Sequence, residues 1–321
     1  MSRLTAALTS IGILALAGAV GASGDATPKC FGKQATIVGS GLFSGTNGDD
    51  VIVGSSGDDT IDAAGGNDLV CGVGGSDRIR GGLGDDQLDG GEGDDFILGD
   101  VFADISPGSD QPAGNDVIIG GPGNDSATGD HRSVFGPDVT GDSGDDLMIG
   151  GTGNDFFLGD STAFTDVTGT GTVFGRAGDD RILLGDGQDT VVGDHNALHN
   201  VGDAGDDYID GGDGDDFVLV GDSSWGDTLP TITFEGKAGD DTILGGGGND
   251  GLIIGDHNPF TGTLSAPGGD DVLKGGTGDD GLFGDHWADD GGVTSGNGDD
   301  SCQGGAGTDT AASCEDITGV P

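Results

Sequence analysis

The stretch Gly81–Asp95, "GGLGDDQLDGGEGDD", decides the fold of this chain because it repeats itself after nine residues. It contains six Gly and five Asp, a composition that in isolation is typical of an acidic, disordered linker. Aligned on itself, the segment that starts at Gly81 matches the segment that starts at Gly90, with Gly in the fourth place and Asp in the sixth. A fixed period in so flexible a composition indicates a repeat architecture instead.

The nine-residue period extends over most of the 321 residues. All twenty units have Gly at position four and Asp at position six, and seventeen have a large apolar residue at position eight; the exceptions are Ala127, Ala311 and Cys302. The units begin at Gly45, Gly54, Ala63, Gly72, Gly81, Gly90, Gln111, Gly120, Gly141, Gly150, Gly175, Leu184, Gly202, Gly211, Gly236, Gly245, Ala266, Gly275, Ser295 and Gly304.

The repeated pattern G-G-x-G-x-D-x-U-x, with U a large apolar residue, resembles the calcium-binding nonapeptide repeats of the RTX family over residues 45–312. The resemblance implies that the first six residues of each unit form a Ca²⁺-binding turn and the last three a short strand. It implies an all-β fold, a right-handed parallel β-roll (a β-solenoid) of about ten coils, roughly 50 Å long at about 4.8 Å per coil. Position eight would then face inward and supply one core residue per unit.

The sixth-position Asp side chains are the candidate metal ligands, since Ca²⁺ takes six to eight oxygens from carboxylates and main-chain carbonyls. In the roll, two units make one coil, so turns on one edge recur every 18 residues, and each ion is expected between successive turns. The cofactor prediction is therefore multiple Ca²⁺ ions. Along one edge the candidates are Asp59, Asp77, Asp95, Asp125, Asp155, Asp189, Asp216, Asp250, Asp280 and Asp309. Along the other edge they are Asp50, Asp68, Asp86, Asp116, Asp146, Asp180, Asp207, Asp241, Asp271 and Asp300.

Seven inserts interrupt the repeats, at 99–110, 129–140, 159–174, 193–201, 220–235, 254–265 and 284–294. Six units precede the first insert and two units separate the later ones, so in a two-unit coil all inserts are expected on one edge. We call this the insert-bearing edge (Asp50 to Asp300) and the other the uninterrupted edge (Asp59 to Asp309). The sequence leaves open whether the inserts are loops or a third side of a wider solenoid.

Each insert carries a Gly-Asp pair close to its start. The Asp residues are candidates for additional Ca²⁺ ligands, or alternatively for turn residues that bond their own backbone. They are Asp100, Asp130, Asp160, Asp194, Asp222, Asp256 and Asp285. The residue before an insert is usually apolar, as at Leu98 and Leu158, which predicts that the inserts cover that face of the roll. His131, His195, His257 and His286 follow the Gly-Asp pairs, and a hydrogen bond to the neighbouring turn is favoured for them over metal binding.

The two ends of the chain indicate secretion. Arg3 precedes an apolar run that ends in small residues near Ala22, which predicts a signal peptide over 1–22, with cleavage at Ala26 as a second option; the alternative is a retained membrane anchor. Four Cys suit an oxidising compartment, and of three possible pairings we predict Cys30–Cys71 and Cys302–Cys314, with a Zn²⁺ site as the weaker alternative. The predicted segments are then an N-terminal cap (23–44), an uninterrupted roll (45–98), a roll with inserts (99–312) and a C-terminal cap (313–321).

Composition limits the function classes. A formal net charge of −48 opposes binding to nucleic acid or to an anionic membrane, and the mature chain shows no membrane span. No H-E-x-x-H or G-x-S-x-G motif is present. The sequence therefore predicts a non-enzymatic extracellular Ca²⁺-binding protein that folds with its ions and has a structural, adhesive or Ca²⁺-sequestering role, its partner being a cell-surface or extracellular polymer. A Ca²⁺-dependent secreted hydrolase or a carbohydrate-binding protein, with its site in the inserts, is the alternative.

Overall fold

The computed structural model describes residues 27–101, 112–133, 139–163, 172–197, 199–222, 233–234, 237–256, 268–285 and 298–320. The predicted signal peptide, residues 1–22, lies outside these ranges, as do His257 and His286. The described chain consists of strands and turns arranged as two long, parallel sheets, which confirms the predicted β-roll.

Sheet A has twelve parallel strands, most of them six residues long. In spatial order they are Ile37–Val38, Val51–Val53, Leu69–Gly74, Gln87–Glu92, Val117–Pro122, Leu147–Thr152, Arg181–Asp186, Tyr208–Asp213, Thr242–Gly247, Val272–Thr277, Ser301–Ala306 and Asp316–Thr318. Spatial order equals chain order, so each strand pairs with the same position of the next coil; Val70, for example, is opposite Leu88.

Sheet B has eleven parallel strands of three residues each. They are Leu42–Ser44, Thr60–Asp62, Arg78–Arg80, Phe96–Leu98, Ser126–Thr128, Phe156–Leu158, Thr190–Val192, Val218–Val220, Leu252–Ile254, Gly281–Phe283 and Thr310–Ala312. All seven inserts follow a strand of sheet B and precede a strand of sheet A. The prediction that they share one edge is confirmed.

The core is a single layer of position-eight side chains between the two sheets. Ile52 and Leu88 from sheet A and Ile61 and Ile97 from sheet B are at most 1% exposed and belong to one continuous cluster along the roll. Positions seven and nine of a strand point away from the layer, so most units contribute one residue to it; Ala63 and Leu184, at position one of their units, are buried in the same cluster.

Two units depart from the predicted phase. Leu219 and Ile253, which the period places at position nine, occupy the core, whereas Val218 and Leu252 pack on the outer face of sheet B. The pairing of Thr190 with Val218 shows that Phe217 is an extra residue, and Gly251 is the extra residue one coil later. These are β-bulges, in which two residues oppose one on the neighbouring strand. A nine-residue count cannot detect a one-residue bulge that an insert follows directly.

The face of sheet B next to the inserts is covered, as the apolar residues before the inserts predicted. Leu98, Leu158 and Val192 are at most 2% exposed. The inserts are also ordered against one another: Arg132–Ser133, Thr162–Ala163 and Asn196–Ala197 form one small parallel sheet. A second comprises Thr172–Val173, His199–Asn200 and Thr233–Phe234. In these coils the inserts therefore stack and extend the solenoid sideways.

Both ends of the roll carry a disulfide, as predicted. At the N-terminal end an antiparallel pair, Lys29–Cys30 and Lys33–Gln34, precedes the first coil, and Cys30 is bonded to Cys71. At the C-terminal end Cys302, a core residue, is bonded to Cys314. The described residues contain no free Cys.

Val73 lies at position two of its turn, a position that is Gly in most turns without an insert, and its φ is +90°. A β-branched residue is strained there by about 1–3 kcal/mol, which exceeds the entropic cost of Gly. We therefore expect Val73→Gly to raise the free energy of unfolding by about 1 kcal/mol in urea titrations at saturating Ca²⁺. Val38→Gly is the control: Val38 is also exposed, but it lies in a strand at ordinary φ, so its replacement is expected to lower stability. A loss of stability in Val73→Gly would contradict the strain assignment.

Candidate metal centres

The sixth-position Asp side chains line the inside of the turns on both edges and form two continuous columns. One carboxylate oxygen, Oδ1, accepts a hydrogen bond from the main-chain N–H of the sixth-position Asp of the preceding coil. The distances along the uninterrupted edge, from Asp59 to Asp309, are 2.7–3.1 Å. Along the insert-bearing edge, from Asp50 to Asp300, they are 2.7–2.9 Å. The inserts therefore leave both columns intact.

The second carboxylate oxygen, Oδ2, is the one available to bind a cation. In eighteen of the twenty column Asp residues, all except Asp50 and Asp59, it is buried and accepts no hydrogen bond. At Asp50 and Asp59, in the first turn of each column, Oδ2 accepts the N–H of Thr46 and Ser55 instead, at 2.8 and 2.6 Å. A buried carboxylate oxygen without a partner costs free energy unless a cation or a proton neutralises it.

Main-chain carbonyls converge on the same place. A methyl group built on Gly90 would lie 2.8 Å from the carbonyl oxygen of Gly120, one coil further on, and closer still to the unpartnered Asp95 Oδ2. Gly keeps this space open in most turns, whereas Ala63 and Leu184 stand at the same position in two others. Ca²⁺ binds mixed carboxylate and carbonyl oxygens at 2.3–2.6 Å, so the donor set fits a calcium ion. No group of three or more His, Cys, Asp or Glu side chains converges on one metal position within the described residues, so main-chain oxygens must complete such a site.

The raised pKa values of the column Asp residues are typical of carboxylates that bind cations. Burial, above all, raises the pKa of Asp77 to about 6 and that of Asp155 to about 7 on the uninterrupted edge. On the insert-bearing edge burial raises the pKa of Asp86 to about 8 and, together with the neighbouring charge of Asp256, that of Asp271 to about 9. At neutral pH the carboxylates of Asp86 and Asp271 stay ionised only with a cation beside them, since their pKa values lie above 7.

The inserts split the turns rather than precede them, which corrects their predicted boundaries. In the whole turn that begins at Gly81 the position-two N–H, that of Gly82, bonds the position-one carbonyl of Gly99 in the next coil at 2.8 Å. The N–H of Asp160 bonds the carbonyl of Gly193 in the same way at 3.1 Å. The Gly-Asp pairs are thus turn positions one and two, and the inserted residues follow them. Gly221 and Gly255, which follow the two bulged strands, are likewise at turn position one.

The insert Asp side chains close the split turns. Their carboxylates accept the N–H of the position-four Gly across the insert, for example from Gly114 to Asp100 Oδ2 at 3.1 Å and from Gly239 to Asp222 Oδ1 at 2.9 Å. The same contact joins Gly144 to Asp130, Gly178 to Asp160, Gly205 to Asp194 and Gly269 to Asp256, and the N–H of Gly298 bonds Asp285. This contact differs from the local backbone bond that the sequence suggested, because the bonded Gly lies 11–18 residues further along the chain.

The two described His side chains of the inserts are buried beside these turns. His195 Nε2 lies 3.2 Å from the carbonyl oxygen of Gly175, and burial lowers the pKa of His195 to about 4, so the ring is neutral at pH 7. This matches the predicted hydrogen bond to a neighbouring turn. His131 Nδ1 lies 3.7 Å from Asp100 Oδ2.

Sequence reasoning missed the role of position five. In the opening doublet, the Asp86 carboxylate accepts the N–H of Asp68 in the preceding coil, whereas the Asp85 carboxylate accepts the N–H of Asn115 in the next coil. Adjacent acidic residues thus bond successive coils in opposite directions. Asn serves equally at the exposed position: Asn124 accepts the N–H of Asn154 at 2.9 Å. The frequent Asp-Asp and Asn-Asp doublets were the available signal.

Glu315 was also missed. Its Oε2 accepts the N–H of Asp300 at 3.0 Å, the place that the Asp of a further coil would occupy. It caps the insert-bearing column.

The fold and the turn chemistry define a Ca²⁺-binding parallel β-roll. The family model described as the RTX calcium-binding nonapeptide repeat matches residues 44–75, 72–105, 113–130, 138–162, 167–194, 201–223, 233–255, 262–285 and 293–311, and the chain belongs to this family. It binds multiple Ca²⁺ ions. Comparison with curated proteins finds no match. Within the described residues there is no helix long and apolar enough to cross a membrane.

Proposed function

We propose that this chain is an extracellular protein whose two Asp columns bind Ca²⁺ between successive turns, and that the ions drive its folding. The observation that carries the proposal is the set of eighteen buried Oδ2 atoms without a hydrogen-bond partner. In fifteen of these turns a methyl group built on the position-one Gly would contact both that Oδ2 and a main-chain carbonyl oxygen of the next coil. The eighteen Oδ2 atoms are the ligands we assign to the predicted sites.

Ca²⁺-driven folding is supported by the balance between core and charge. The core is one side chain thick, and the eighteen carboxylates must be neutralised when the roll forms. Because the sites do not exist in the unfolded chain, the free energy of ion binding is free energy of folding. Extracellular Ca²⁺ sites commonly bind at about 10⁻⁴–10⁻³ M, so folding would occur outside the cell and not in the cytosol.

Circular dichroism during a Ca²⁺ titration at pH 7.5 tests this function. In chelator the chain is expected to give the spectrum of an unordered polypeptide, and millimolar Ca²⁺ is expected to produce a β-sheet spectrum. Mg²⁺ at the same concentration is the control, since it demands a stricter octahedral geometry and sheds water reluctantly. A β-sheet spectrum that is identical in chelator and in excess Ca²⁺ would refute the proposal.

The location and role are proposed on independent grounds. Disulfides at both ends of the roll suit an oxidising, extracellular compartment, and the segment 1–22 would be the export signal. The proposed role is that of a structural or adhesive module, or of a Ca²⁺ store. Secretion through 1–22 is checked by sequencing the N-terminus of the exported chain, which should begin at Ser23; an intact Met1 would contradict the assignment.

A further inference from the structure

Whole and split turns differ in how many buried carboxylates they contain. In a whole turn the position-four N–H of Gly66 donates to a main-chain carbonyl, that of Leu83, at 2.9 Å. In a split turn the equivalent N–H of Gly114 donates to the carboxylate of Asp100. A carboxylate has therefore replaced a neutral carbonyl, and the turn holds two buried acidic groups, Asp100 and Asp116, each at most 1% exposed.

The insert carboxylates form a third file parallel to the sixth-position column. Burial, above all, raises the pKa values of Asp100 and Asp160, and the charge of Asp130 in a neighbouring coil adds to both shifts, so neighbouring members of the file interact from coil to coil. Burial and then the charge of the sixth-position Asp207 raise the pKa of Asp194. The two files of carboxylates on this edge therefore lie within each other's fields.

Turn closure leaves acceptor capacity unused in this file. Asp100 Oδ1 is buried and accepts no hydrogen bond, although the other oxygen of that carboxylate closes the turn. Asp116 Oδ2, in the same turn, is also buried and accepts no hydrogen bond. At the other end of the file Asp285 Oδ1 is likewise buried without a partner. A methyl group built on Gly268 would lie 2.8 Å from this oxygen and 2.7 Å from Asp256 Oδ2, so carboxylate oxygens converge there.

The net charge of each turn determines how well its buried carboxylates bind a divalent ion. A divalent ion next to one buried carboxylate per coil, as on the uninterrupted edge, retains a net charge of +1, whereas two carboxylates per coil neutralise it. Buried charges are stable when they are paired, and Ca²⁺ affinity rises with the number of charged ligands. Adding further ions instead would bury net positive charge again.

We propose that the split turns are two-carboxylate Ca²⁺ sites, so that the insert-bearing edge binds its ions more tightly than the uninterrupted edge and fills first. Each site combines an insert Asp with the sixth-position Asp of the same turn. The inference rests on the proposed Ca²⁺ binding by the sixth-position columns. It gives the inserts a function in the binding itself: they convert a weak repeat site into a stronger one.

The test is a Ca²⁺ binding isotherm of the full chain, measured with a fluorescent chelator competitor, against two matched variants. The first replaces the seven insert Asp with Asn, namely Asp100, Asp130, Asp160, Asp194, Asp222, Asp256 and Asp285. The second, the control, replaces seven exposed position-five Asp of the same edge with Asn, namely Asp85, Asp145, Asp179, Asp206, Asp240, Asp270 and Asp299. Both remove the same charge from the same edge, and Asn retains an oxygen that can accept the N–H.

The wild type is expected to show two phases, and the insert variant to weaken the tight phase by about tenfold or more, leaving the weak phase in place. The control variant is expected to shift both phases by about threefold or less, since exposed charges are screened. If the seven substitutions prevent folding, Asp160→Asn against Asp179→Asn, the exposed fifth-position Asp of the same turn, repeats the comparison at one turn. Equal isotherms for the two variants would overturn this inference and leave the proposed function intact; a wild-type chain that binds no Ca²⁺ would overturn the proposed function itself.

Discussion

In the absence of Ca²⁺, lowering the pH from 8 towards 5 is expected to increase the β-sheet content of this chain. Burial raises the pKa of Asp125 to about 6, of Asp95 and Asp216 to about 7, and of Asp86 to about 8. A group whose pKa is higher in the folded than in the unfolded state favours folding when it is protonated. Its contribution is complete below the unfolded value of about 4 and disappears as the pH rises through the folded value.

The position of the transition identifies its cause. Protonation of exposed Asp, which would simply reduce repulsion, centres near pH 4. Protonation of the column carboxylates in the roll centres between about 6 and 8, by the pKa values above. Circular dichroism in chelator is therefore expected to show β-structure that begins to increase above pH 5, as the pH falls through the folded pKa values. A chain that stays unordered down to pH 5, or that gains order only when the pH rises, would contradict the assignment of these carboxylates to the roll interior.

The second large effect is expected from Phe157→Ala in the Ca²⁺-bound chain. Phe157 is fully buried in the core layer and lies between Ala127 and Val191 on the neighbouring strands of sheet B. Its ring fills the space beside the small Ala127. Because the layer is one side chain thick and the backbone ladders on both sides hold it open, the cavity cannot collapse, and we expect a loss of about 3–5 kcal/mol in the free energy of unfolding.

Phe217→Ala is the matched control. Phe217 is the bulge residue of the same sheet and is 64% exposed, so its truncation is expected to change stability by less than about 0.5 kcal/mol. Urea unfolding at saturating Ca²⁺ measures both variants. Equal losses in the two would show that the core layer lies elsewhere, in particular that Phe157 does not face Ala127 across the ladder.

The repeat phase was sufficient to predict the roll, its two edges and its core. Position eight of the opening stretch, Leu88, is fully buried, and Asp86 lies inside its turn. The period could not predict the bulge at Phe217, because one additional residue followed by an insert leaves the visible spacing unchanged. It also could not show that Gly99 and Asp100 belong to the turn, since that depends on a hydrogen bond made across the insert with Gly114.

The Asp-Asp and Asn-Asp doublets show a second limit of prediction from the repeat. A motif read one unit at a time assigns Asp85 a minor role, because its bond is to Asn115 in the next coil. Contacts between coils are invisible in a single nonapeptide, as is the cap that Glu315 places on Asp300. What periodicity predicts well is the path of the chain; the opposing Asp contacts that hold successive coils in register emerge when the coils are stacked.

The central claim, that the two Asp columns are files of Ca²⁺ sites, is tested most directly by anomalous X-ray diffraction from crystals grown in Ca²⁺ or Tb³⁺. The account predicts two rows of anomalous peaks, one along each edge, with each peak between successive turns and within ligand distance of a sixth-position Oδ2. An ordered roll whose turns contain no peaks, or whose peaks lie on the outer faces of the sheets, would contradict it.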